Sequence, residues 1–294
     1  MIIRKLDLKE NMYNYITMSN LTLTEGLGSQ MYHFACLFAI SKHTKHKICF
    51  FNENINIGKG LLLKKYFPQV PIDLISINDM SEQDKTCYSF PITRDIVIDS
   101  RIFELNPSLN YDFKGLFNTY KLWYPFLKEI KEFYTFPLDV LIKAKSLVDQ
   151  CKTDDRKLVS VHVRRGDYLL PLNSFFTHLS KDYFEYSMSK FNVEDNNFLF
   201  FSDDIKWCKE NFGNRKNIFF SENTSEIIDL AAMTLCDHNI ISNSGFGLWG
   251  AVLNKNKNRK AICPSKYLKN DYAVPHFNHA WFPDDIEGVL IGNN

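Results

Sequence analysis

The sequence predicts an α/β fold with parallel sheets, divided into two domains. Three observations lead there. Runs such as LVSVHV, NFLFFS, NIFFS, NIIS and KAICP are almost continuously apolar and alternate with helical stretches, the pattern of strands buried on both faces. The opening of the chain reads strand, glycine turn, helix, strand, which starts an α/β layer. The length, 294 residues, exceeds one typical domain of about 100–200 residues.

Each element follows from its own pattern. NYITMSNLTLT at 14–24 suits one or two strands. EGLGSQ at 25–30 is a turn, and MYHFACLFAISKHT at 31–44 is a helix with Met31, Phe34, Ala35, Phe38 and Ala39 on one face. KICFFN at 47–52 is the next strand. Between 53 and 110 short apolar pieces (LLLKKYF, VPIDLISI, DIVIDS) alternate with polar turns. Helical periodicity returns at 120–132 and 138–150. The polar stretch CKTDDRK at 151–157 marks the boundary, giving an N-terminal α/β domain at 1–155 and a second α/β domain at 156–294.

The second half is predicted in full. LVSVHV is a strand, residues 181–191 a helix, NFLFFS at 197–202 a strand and DDIKWCKENF a helix. NIFFS at 217–221 is a short strand, 224–236 a helix with Glu226 near its positive N-terminus, NIIS at 239–242 a strand, GFGLWGAVL a helix and KAICP the final strand.

Composition narrows the functions. Apolar residues make up 45% of the chain, enough for a sizeable core. The net charge of +1 argues against a general nucleic-acid binder. Seven cysteines, an odd number without C-x-x-C, indicate neither a disulfide framework nor a zinc site. No stretch reads as a signal peptide or gives about 18 uninterrupted apolar residues. The chain therefore reads as a reduced, cytoplasmic protein, with at most peripheral contact at the inner membrane face. SKHTKHK at 41–47 is a basic helix end, and His276 and His279 have a metal-like spacing without a third ligand. The aromatic residues are mostly core, and those in the middle of the first half could line an acceptor groove.

Four sites carry candidate chemistry. In VSVHVRRGDY, Val159, Val161 and Val163 share the core face of a strand, whereas Ser160, His162 and Arg164 share the other. Arg164 thus stands at the carboxyl end, where open α/β sheets bind ligands, with Arg165 at the bend that Gly166 permits. An arginine pair beside a histidine suits a diphosphate, because guanidinium binds phosphate bidentately and keeps its charge. A simple Arg165–Asp167 pair and a core histidine are the plain alternative. EGLGSQ places Gly26, Gly28, Ser29 and Gln30 before a helix, where amides can face an anion, but a tight turn explains it equally. Met31 replaces the third glycine of G-x-G-x-x-G, and the P-loop lysine is lacking. In FFSDD at 200–204, Asp203 or Asp204 can accept from a ribose hydroxyl or a guanine edge, or cap the next helix. In SNSGFGLWG at 242–250, Ser244 and the amides after it can hold a second anion or ribose, or serve as a cap.

HVRRGDY, GLGSQMYHFA, FFSDDIKWCKENF and DLAAMTLCDHNIISNSGFGLWGAVLN appear in the order found in glycosyltransferase family 11, the α-1,2-fucosyltransferases, and the chain resembles that family over most of its length. GLFNTYKLW at 115–123 resembles the family's segment with a G-Y-F-Q core. The resemblance implies a glycosyltransferase-B-like fold of two Rossmann-like domains around a donor cleft. It implies inverting transfer of L-fucose from GDP-fucose to the 2-hydroxyl of a galactose-terminated or lipid-linked glycan, with no cofactor or metal, in the making of a surface polysaccharide such as O-antigen. By position, Arg164 would face the β-phosphate, His162 and one of Asp203 and Asp204 would hold the guanosine, Ser244 would support the phosphate, and Gly26, Gly28, Ser29 and Gln30 would wall the cleft. Arg164 would stabilise the charge of the departing GDP, and Asp167, with Glu25 behind it, is the candidate general base. The chain departs from the family pattern at Glu25, Ser29, Asn118, Leu248 and 174–179, and keeps the arginine motif intact. The rival readings are another nucleotide-dependent enzyme, such as a dehydrogenase, a transferase with a different GDP-sugar or acceptor, and a non-catalytic nucleotide-sugar-binding protein.

Overall fold

The computed structural model describes residues 14–92, 98–117, 119–152, 154–173, 176–222, 225–265, 269 and 282–289. Asn118, His276 and His279 lie outside the described residues, as do the first two residues of the 174–179 segment.

Two all-parallel sheets organise the chain. The first holds β1 (Tyr15–Thr17), β2 (Lys47–Phe51), β3 (Asp73–Ile75), β4 (Cys87–Pro91) and β5 (Asn110–Lys114), in the order β3-β2-β1-β5-β4. Its helical pieces are α1 (Leu21–Thr24), α2 (Leu27–Thr44), α3 (Leu62–Tyr66) and α4 (Glu82–Lys85). The helices α5 (Leu127–Phe133) and α6 (Leu138–Cys151) follow. The second sheet holds β6 (Lys157–Val163), β7 (Asn196–Ser202), β8 (Ile218–Phe220), β9 (His238–Ile240), β10 (Ala261–Pro264) and β11 (Glu287–Val289), in the order β11-β10-β9-β6-β7-β8. Its helices are α7 (Lys181–Ser189), α8 (Ile205–Phe212), α9 (Glu226–Leu235) and α10 (Gly245–Val252).

The second order is that of a dinucleotide-binding sheet. From β6 the chain builds outward through β7 and β8, then crosses back to place β9 on the other side of β6. The reversal lies between β6 and β9, and the crevice beyond their carboxyl ends is the expected ligand position. β6 is buried at every residue but its first, with its valines on one face and buried Ser160 and His162 on the other.

Several elements differ from expectation. Residues 14–24 hold one three-residue strand and then α1, because the chain turns at Met18, whose carbonyl accepts from Leu21 N–H at 2.9 Å. α2 begins at Leu27, inside the glycine turn, and is buried nearly all round. One face meets the first sheet and others meet Trp123, Phe133, Tyr134 and α10. The predicted helix at 120–132 is two 3₁₀ turns, Tyr120–Leu122 and Tyr124–Phe126, before α5. Pro125 accounts for the break, since it lacks an N–H and disfavours helical backbone before it. β10 is not the last strand, because β11 pairs with it at the edge.

The aromatics of the first half divide: Tyr88, Phe103 and Tyr124 are exposed, and others are core. Tyr120 and Trp123 are buried, and Trp123 stacks on Trp249 of α10 with ring centroids 5.1 Å apart. The basic stretch at 41–47 is only partly solvated: Lys42 pairs with Glu129 at 2.8 Å, and buried His46 bonds Thr44 Oγ1 and the Leu109 carbonyl. All seven cysteines are unbridged. Among the described residues no helix is long and apolar enough to cross a membrane.

Candidate active site

The carboxyl ends of β6, β7 and β9 bring the predicted motifs together. Arg164 leaves β6 with its guanidinium between two carboxylates, Nη1 at 2.9 Å from Asp203 Oδ2 and Nη2 at 2.7 Å from Asp167 Oδ1. Burial alone would lower its pKa, but Asp203, Asp167 and Tyr168 outweigh burial and raise it, so the charge is secure. The group also lies over the Tyr168 ring, 5.5 Å from its centroid. Arg165 turns the other way. Its Nε is 3.3 Å from Asp204 Oδ2, and its guanidinium sits 4.0 Å above the Trp207 ring. Its side chain is 18% exposed, against 30% for Arg164. Stacked and more enclosed, Arg165 braces the turn, and Arg164 is the arginine that can reach a ligand.

The plain alternative is therefore corrected in its partner: Asp167 pairs with Arg164, not Arg165. The two following aspartates are spent on the same turn. Asp204 caps α8 by accepting from Trp207 N–H at 3.1 Å, and Asp203 accepts from Arg165 N–H at 2.9 Å while holding Arg164. A Cβ at position 166 would stand 2.7 Å from Asp203 Oδ2, so glycine allows the close approach. Both aspartates thus contact the arginines.

His162 is buried beneath this turn. Its Nδ1 lies 2.8 Å from Ser242 Oγ, and its ring lies 5.6 Å from Phe246. Burial, then the charge of Arg164, lowers its pKa to about 3, so the imidazole is neutral. Gly247 is required here, because a Cβ there would stand 2.7 Å from His162 Nδ1. Ser244 caps α10, its Oγ accepting from Phe246 N–H at 3.3 Å. Tyr168 ties the two loops together by donating from its hydroxyl to the Asn243 carbonyl at 2.8 Å. Sequence reasoning passed over Tyr168 and Trp207 and offered Ser242 only as a helix cap, although all three lie within the quoted motifs, because their partners lie across loops.

The glycine turn meets this site by helix contact. A Cβ on Gly28 would stand 2.2 Å from Phe246 N, and Trp249 Nε1 donates to the Gly28 carbonyl at 3.2 Å. The first turn of α2 thus rests on the first turn of α10. Gly28 is fixed by this packing, and Ser29 is half-buried next to it. Gly26 is the open position, with Lys59 Nζ as its near neighbour. Gln30 is not at the cleft surface. It is fully buried, and its amide bonds the carbonyls of Glu25 and Gly60 and the Leu63 N–H.

This arrangement can hold a diphosphate at Arg164 with a neutral histidine below it. The profile of the family described as "Glycosyl transferase family 11" matches residues 2–281. The chain belongs to glycosyltransferase family 11. This family 11 chain is 26% identical over 275 residues to an alpha-1,2-colitosyltransferase from Escherichia coli, covering 85% of this chain and 92% of that protein. It is 32% identical over 124 residues to the O-antigen biosynthesis glycosyltransferase WbnK, also from Escherichia coli, covering 39% of this chain and 40% of that one. Among solved structures it resembles the fucosyltransferase NodZ from Bradyrhizobium, with a TM-score of 0.52 at 11% identity, over 82% of this chain and 93% of that one. NodZ co-crystallised with GDP gives a TM-score of 0.52 as well. At this identity the likeness shows the fold, two Rossmann-like sheets in the glycosyltransferase-B arrangement.

Proposed function

We propose that this chain is a metal-independent, inverting transferase that moves L-fucose from GDP-fucose to the 2-hydroxyl of a terminal galactose. The observation that carries the reading is Arg164 at the strand-order reversal, with its charge secured and its side chain partly open. The residues up to 155 form the acceptor side, and residues 156–294 bind the GDP-sugar. A role in polysaccharide or O-antigen assembly, by a protein at most peripheral to the inner face of a membrane, fits the same reading.

In the reaction, the bond between the sugar anomeric carbon and the β-phosphate oxygen breaks as the acceptor oxygen bonds to the opposite face of that carbon. The leaving diphosphate gains negative charge, and the Arg164 guanidinium stabilises it where it forms. Arg164 uses two contacts on carboxylates, and a guanidinium has five N–H donors, so others remain for phosphate oxygens. His162, neutral and anchored at Nδ1, presents Nε2 to the nucleotide, and Ser244 supports the phosphate at the start of α10. The acceptor proton passes to Asp167, the carboxylate 2.7 Å from Arg164 Nη2, or to the leaving diphosphate.

A second reading has an observation of its own. The relative spanning most of this chain transfers colitose, so a GDP-linked colitosyl donor is the competing substrate. GDP release from each donor, measured with EDTA present against acceptors ending in β-galactose, tests both. Acceptor-dependent release from GDP-fucose is expected. Release only from the colitosyl donor would move the assignment to the second reading. Loss of activity on adding EDTA would overturn metal independence, and tight GDP binding without any turnover would favour a binding protein.

A further inference from the structure

The first sheet has its own reversal of strand order. β1 leads to β2 and β3 on one side, and β5 with β4 lies on the other. In such a sheet the crevice opens beyond the carboxyl ends of the strands that flank the reversal, here β1 and β5. A polar cluster stands at that point. Ser19, just past β1, donates from its N–H to Asp112 Oδ1 at 3.0 Å and from its hydroxyl to Asp112 Oδ2 at 2.7 Å. Lys114 donates to Ser19 Oγ at 2.6 Å and pairs with Asp112 Oδ2 at 2.5 Å. Thr17, in register with Asp112, is buried with a hydroxyl that has no hydrogen-bond partner. The same edge of this sheet leads through Gly26 to Gly28, which touches the start of α10 beside Ser244.

The donor inventory specifies the ligand class. The ammonium has three N–H groups and uses two, while the carboxylate has about four acceptor positions and uses three. One strong donor and one strong acceptor remain, side by side. The pair is neutral as a whole, so a phosphate would meet Asp112 and a cation would meet Lys114. An uncharged polyol satisfies both groups, as adjacent sugar hydroxyls do.

We propose that Ser19, Asp112 and Lys114 form a subsite for the neutral, hydroxyl-rich end of a glycan, which is the acceptor if the transferase reading above holds. The test is a lactose titration followed by saturation-transfer NMR, run beside a GDP titration, on the wild-type chain and on Asp112→Asn, Lys114→Met and Ser19→Ala. Hydrogen bonds to charged groups are each worth enough to predict about a tenfold or greater loss of lactose affinity in the Asp112 and Lys114 variants. GDP affinity should stay within about twofold. Ser19→Ala, which keeps the ion pair, guards against a folding artefact and should weaken lactose binding by a smaller factor. Equal lactose binding in all four folded proteins, or no lactose binding by the wild type, overturns the subsite. Lactose binding that depends on these residues in a chain that binds no GDP would sustain the subsite and sink the GDP-sugar reading instead.

Discussion

At the scale of single residues, two neighbouring arginines with the same chemistry have different environments. Arg164 is held between Asp203 and Asp167, whereas Arg165 is stacked on Trp207. A preorganised donor aimed at developing charge is worth about 10²–10³ in rate, and Arg164→Ala should lose at least that much in kcat, more than any loss of stability explains. Arg165→Ala should lower the melting temperature by several degrees with a much smaller loss in kcat. Steady-state kinetics and thermal melts of the two variants decide the matter, and near-wild-type turnover by Arg164→Ala would sink the assignment. The position of Arg164 was legible from the sequence, because strand alternation and Gly166 place it at the open end of β6. Its partners were not. Asp203 is brought to it by β7, and sequence patterns say nothing of which carboxylate crosses to which guanidinium. The role of Gln30 was hidden for a similar reason, since two of its three bonds run to Gly60 and to Leu63 of α3, about thirty residues on, and the third to Glu25.

At the scale of elements, legibility followed burial. The strands β6 and β7 are covered on both faces and read as apolar runs. β4 and β5 were missed because β4 is an edge strand that exposes much of its length and β5 beside it is only partly buried, so CYSFP and NYDFK carry polar residues that mask the pattern. The contact between α2 and α10 shows what a glycine turn can do apart from binding anions. Gly28 lets two helix starts approach until the backbones touch, which any side chain would prevent. Gly28→Ala should therefore force the helices apart. Overpacking of this kind costs about 1–3 kcal/mol, and the shift should also displace Ser244 and Phe246. Urea unfolding together with GDP titration should show both losses. A variant as stable as the wild type would mean that the close approach is not needed for the fold.

At the scale of the whole molecule, the two sheets share one interior. Trp249 stacks on Trp123, packs edge-on against Tyr134 and reaches the Gly28 carbonyl. Four histidines are buried with their pKa lowered by burial, His33, His46, His162 and His238, and the shift takes His33 in α2 and His162 in β6 from 6.5 to about 3. The sign of the resulting pH dependence follows directly. The unfolded chain takes up protons on both rings as pH falls through about 6.5, and the folded chain refuses them until about 3. Stability is therefore fully present above pH 6.5 and is lost as pH falls from there toward 3. Each histidine contributes a slope of up to about 1.4 kcal/mol per pH unit. Urea unfolding at pH 7, 6 and 5 should show this decline, over a range in which ordinary carboxylates are still ionised and contribute little. His33→Gln, remote from the arginine turn, should remove its own share of the slope, up to about 1.4 kcal/mol per pH unit, without changing GDP affinity. Equal stability at pH 7 and pH 5 in the wild type would show that neither ring is held neutral, and would remove the neutral His162 from the proposed nucleotide site.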